Sequence, residues 1–155
     1  MNVRIVVADE REAQFFDASK PHAPLVSRGS IRNAAGDMRD RELETDRPGR
    51  RFGGTGGARG VQAAHHHGVN GERSTKQHEL TLFAKEVAHR IDSGRINREY
   101  DKLVLVAPPK MLGLLRQSLT QPTQAMLAAE IAKDLVQQGP DAILSTLPAE
   151  TFWSV

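Results

Sequence analysis

Between Ser74 and Leu119 three segments of different hydrophobic period follow one another with hardly a residue to spare, and this run limits the fold more than any other part of the chain. In HELTLFAKEVAHRI the apolar residues Leu80, Phe83, Ala84, Val87, Ala88 and Ile91 recur at the i, i+3, i+4, i+7 spacing of an amphipathic helix with one buried face. Leu103 to Ala107 is then a continuous apolar run between a charged start and a double proline. It is too short for a helix and too uniform for a half-exposed strand, so it predicts a central strand. Pro108 and Pro109 lack the amide donors that would continue a ladder. Pro109 suits the first turn of a helix over KMLGLLRQSL, with Leu112, Leu115 and Leu119 facing inward. The pattern predicts an α-β-α layered body.

The chain upstream supplies more strands. Val3–Ala8, VRIVVA, is a β-branched run, and Asp9 to Glu12 provide a polar turn before Ala13, Phe15 and Phe16, read as a second strand paired back on the first. Phe15 and Phe16 then point to opposite faces, one of them exposed or covered by another element. Leu25 to Ile31, interrupted by Ser, Arg and Gly, reads as a third strand at an edge. A length of 155 residues fits a single domain over 1–155.

From Asn33 to Arg73 the periodicity is lost, and a long flexible Gly/Arg-rich loop is expected at about 36–72. Within it Arg47, Arg50, Arg51 and Arg59 give residues 47–60 a local charge of +4 with no acid. Residues 121–155 carry Lys133 against Glu130, Asp134, Asp141 and Glu150, a local 1 − 4 = −3, so charge is unevenly spread although the formal net charge is only +2. Gly53, Gly54, Gly56 and Gly57 let a backbone approach phosphates while the guanidinium groups supply charge-assisted contacts. These eight residues are the expected RNA- or ribosome-binding site. GGTGGARG lacks the Gly-Lys-Ser/Thr ending and the preceding strand of a nucleotide-binding loop.

Ser74 or Thr75 is the expected N-cap of the long helix, with Gln77 completing a capping box, and Gly94 its C′ residue. Met126 to Val136 has Leu127, Ile131 and Leu135 at spacing four and several alanines, which by propensity is a helix. Asp141 is expected to cap a short last helix, AILSTL, ahead of a tail with the single tryptophan, Trp153.

Other chemistry is sparse. No cysteine is present, which excludes disulfides and zinc-thiolate sites and fits a reducing compartment. His65, His66 and His67 are adjacent and have no carboxylate or cysteine at ligand spacing, so no metal is expected. His78-Glu79 is followed at position 82 by Leu82 rather than a second histidine, so it is not a zincin helix. Asp9 ends the first strand, where α/β folds often place functional carboxylates, though turning the chain is its simpler role. Lys133-Asp134 reads as a surface ion pair. No serine has the setting of a nucleophile elbow, and no catalytic residue or cofactor is expected. No basic start precedes an apolar stretch and no apolar run approaches membrane-spanning length, so a cytoplasmic protein without a membrane partner is expected.

In order, VVADEREAQFF, TDRPGR, HELTLFAKEVAHRI, YDKLVLVAPPKMLGLLRQSL and EIAKDL resemble the bacterial host attachment protein family over nearly the whole chain. That family is similar in turn to the middle domain of archaeal and eukaryotic peptide-release factors, of the ribonuclease-H-like class found in translation components. The resemblance implies an α/β fold, a mixed β-sheet with helices on both faces, and a strand rather than a helix within Met126 to Lys133. It also gives the Gly/Arg-rich loop a precedent for contact with ribosomes or structured RNA, and host attachment is expected to be an indirect phenotype because no export signal or membrane anchor is read in the chain. Release factors carry a Gly-Gly-Gln loop ahead of the long helix. Here Thr55 and Ala58 follow the two glycine pairs and the nearest glutamine is Gln62, so a binding protein is expected ahead of a peptidyl-tRNA hydrolase or ribosome rescue factor. A protein-interaction module is the third reading.

Overall fold

The computed structural model describes residues 1–35 and 58–152, and of 58–74 the backbone alone. Strands β1 (Val3–Ala8), β2 (Glu12–Ala18) and β3 (Val26–Arg32) are followed by helix α1 (Ala58–Ile96), β4 (Lys102–Val106), α2 (Pro109–Ser118) and α3 (Gln121–Gln124). Strand β5 (Leu127–Ile131), α4 (Pro140–Thr146) and a 3₁₀ turn (Ala149–Phe152) complete the order. The strands form one mixed sheet in the order β3-β2-β1-β4-β5. The pairs β1–β2 and β2–β3 are antiparallel, whereas β1–β4 and β4–β5 are parallel.

Both faces of this sheet are covered, which is why the inner strands are apolar throughout rather than alternating. Val6 and Ala8 of β1, Phe15 of β2 and Leu103 and Leu105 of β4 face a layer made by α1 and α2. Leu80, Phe83, Ala84, Val87, Ala88 and Ile91 of α1 pack there with Met111, Leu112 and Leu115 of α2 and Leu119 beyond it. Val3, Ile5, Val7, Phe16, Val104 and Val106 point the other way, onto Val136, Ile143, Leu147 and Phe152 around α4. Phe15 and Phe16 are therefore both buried, one in each layer. Edge strand β3 is largely exposed, as its broken pattern predicts.

Three expectations need correction. First, α1 begins at Ala58, so residues 58–72 are helical rather than part of a loop, and Ser74 and Thr75 lie inside the helix instead of capping it. Its glycines each cost about 1 kcal/mol relative to alanine, yet extending an existing helix requires no new nucleus. Residues 36–57 of the expected loop, and Trp153, lie outside the described residues. Second, Leu127–Ile131 is a strand, as the family resemblance implied and propensity did not. A spacing of four fits a two-residue period as well as a helix, and the open edge of β4 supplies parallel partners from Leu103 to Val106. A register shift between Leu103 and Val104 lets Leu127 pack on one face while Ala129 and Ile131 pack on the other. Third, Gly139 rather than Asp141 occupies the N-cap of α4, with Pro140 in the first turn and Asp141 just after it.

The far end of α1 differs from expectation as well. Gly94 is helical, and the chain leaves the helix through Arg98, whose φ of 58° is left-handed. Hydrogen bonds from Glu99 N to Gly94 O (2.9 Å) and from Arg98 N to Arg95 O (3.0 Å) close a Schellman turn. Gly94 serves packing instead: a Cβ there would lie 3.1 Å from the Tyr100 ring and 3.2 Å from the Arg4 guanidinium. Neither neighbour is free to retreat. The Tyr100 hydroxyl donates to Ile91 O at 2.8 Å, and Arg4 Nε donates to Asp17 Oδ1 at 2.5 Å.

Arg4 and Asp17 are both buried, and they join β1 to β2 beneath α1. Arg28 of β3 donates a second hydrogen bond to Asp17, at 2.8 Å, and Glu99 accepts from Arg4 at 3.3 Å. Burial pushes the Asp17 carboxyl up, but hydrogen bonds from Arg4, Asn2 and Arg28 and the Arg4 charge outweigh it and hold the group below the usual carboxylate range. Burial likewise disfavours the charged Arg4, and Asp17 and Glu99 more than restore it.

Two measurements follow from this packing. Gly94→Ala is expected to lower stability in urea titration by about 1 kcal/mol, because overpacking costs more than the gain in helix propensity. The lowered Asp17 carboxyl contributes stability that is complete above its unfolded value and is lost as pH falls through the folded one. Asp17→Asn is therefore expected to flatten the acid limb of the stability–pH curve and to cost about 3 kcal/mol at neutral pH, where the buried Arg4 loses its nearer counter-charge and keeps only the partly exposed Glu99.

Candidate functional site

The carboxyl ends of β1 and β4 meet where the chain changes direction across the sheet. After β1 it moves to β2 and β3 on one side, and after β4 it moves to β5 on the other. Such a reversal leaves a crevice beyond the strand ends, the usual place for a ligand in an open α/β sheet. A cleft of about 240 Å³ lies there, lined by residues that follow β1, β4 and β5 and by Leu80 of α1.

Asp9 forms its first wall. Its Oδ1 accepts hydrogen bonds from the backbone amides of Arg11 (2.7 Å) and Glu12 (2.8 Å), and its own amide donates to Glu12 O (2.9 Å). Asp9 is thus a turn-former, as its position after a β-branched strand suggests, but only one of its oxygens is used. Oδ2 has no partner among the described residues. The opposite wall is the start of α2, where Pro108 stands at the N-cap and Pro109 in the first turn. No side chain caps this helix, its first turn contains no acid, and Met111 is buried at the floor of the cleft. Lys110 and Asp134 line the cleft, and neither has a hydrogen-bond or ion-pair partner among the described residues. The expected Lys133–Asp134 ion pair therefore does not form.

The sequence pointed elsewhere. Arg47, Arg50, Arg51, Gly53, Gly54, Gly56 and Gly57 lie outside the described residues, and Arg59 is the second residue of α1, its side chain likewise outside them. His65, His66 and His67 fall within α1. Of the described polar residues considered for chemistry in the sequence, Asp9 and Asp134 line the cleft. Lys110 was not anticipated, although a charged residue directly after Pro108-Pro109 at a strand end is a legible signal. Among the described residues no group of three or more His, Asp or Glu could hold a metal ion, and no helix is long and apolar enough to cross a membrane.

Residues 4–147 match the model of the family described as "Protein required for attachment to host cells". The chain belongs to that family. The chain is also similar to an uncharacterized protein of Rickettsia prowazekii (strain Madrid E), at 49% identity over 45 residues. That match spans 29% of this chain and 30% of the Rickettsia protein. The family match therefore covers both walls of the cleft, Asp9 and Asp134 included.

The turn chemistry of Asp9 separates two substitutions. Asp9→Ala removes the acceptor of two backbone amides and is expected to cost about 1 kcal/mol in urea titration. Asp9→Asn keeps a side-chain carbonyl for the same amides and is expected to leave stability within about 0.5 kcal/mol of the unmodified chain.

Proposed function

We propose that this host attachment family protein acts in the cytoplasm by binding ribosomes or structured RNA, and that its role in attachment is indirect. Arg47, Arg50, Arg51 and Arg59 would meet phosphates, and Gly53, Gly54, Gly56 and Gly57 would allow the backbone to approach them closely. The observation that carries this reading is the composition of residues 47–60, with four arginines, six glycines and no acid, running without interruption into a helix of 39 residues. The start of that helix supports it. Acids are favoured in a first helical turn, whereas α1 has none there and carries Arg59 instead. A cation at the positive end of a helix works against helix stability and in favour of an anionic partner.

Docking through four arginines releases counterions, so affinity is expected to fall with salt at a log–log slope of about −3. Co-sedimentation with purified ribosomes across a salt series measures that slope. Changing all four arginines to alanine is expected to abolish co-sedimentation at low salt. Retention by that variant, or no co-sedimentation of the unmodified protein, rejects the reading.

A further inference from the structure

We draw no further inference here: the strongest candidate, the groove between the starts of β4 and β5 and the 3₁₀ turn, which Thr151 lines with a buried hydroxyl that has no hydrogen-bond partner among the described residues, carries nothing because that hydroxyl is closed off from solvent and nothing in the structure shows what covers the groove.

Discussion

The buried pair of Arg4 and Asp17 is the junction on which the arrangement of layers depends. Arg4 sits on β1 opposite Asp17 on β2, and both point toward the layer beneath α1, whose core is apolar. Two charges in such a place are tolerated only when each is hydrogen-bonded, and here Asp17 holds Arg4 and Arg28 while Arg4 also reaches Glu99. The Arg4 guanidinium further lies 5.3 Å from the centre of the Tyr100 ring. Glu99 and Tyr100 are the link between α1 and β4, so this one cluster ties three strands to the return of the helix. Gly94 belongs to it, since only a residue without a side chain lets α1 approach Arg4 and Tyr100 so closely.

At the same face, Arg90 of α1 secures the outer strand. Its guanidinium lies 4.3 Å from the centre of the Phe15 ring and donates to the Arg28 carbonyl on β3. Strand β3 is otherwise an exposed sheet edge, the kind of surface on which chains aggregate. Three features oppose this: charged Arg28 and Arg32, a register shift between Gln14 and Phe16, and a φ of 100° at Gly29. The interruptions that make the strand weak as a sequence pattern are therefore what keep the edge from pairing outward.

This contrast explains how much of the molecule the sequence made legible. Strands β1 and β4 and the packed half of α1 are readable because burial on one or two faces imposes an uninterrupted run or a helical stripe, and nothing competes with it. Strand β5 is not readable from its own residues: Leu127, Ala129 and Ile131 satisfy a helix equally well until β4 offers a ladder, and only the family resemblance favoured the strand. The start of α1 was misplaced because Ser74 and Gln77 form a plausible capping box, whereas a helix already nucleated further along extends through such a sequence. Asp9 was legible as a turn residue, since that role is local. Its place in a cleft with Lys110 and Asp134 depends on three strand ends far apart in sequence, so no local pattern contains it.

The topology also relates the cleft to the cationic segment. Strand β3 runs parallel to β1 and leaves the sheet at the same end: Asn33 donates from its backbone to Arg11 O at 2.7 Å and from its side chain to Glu10 O at 2.9 Å. The chain re-enters the core at Leu80, which lines the cleft. Everything between β3 and the packed half of α1, including the four arginines, is thus joined to the body on either side of this crevice.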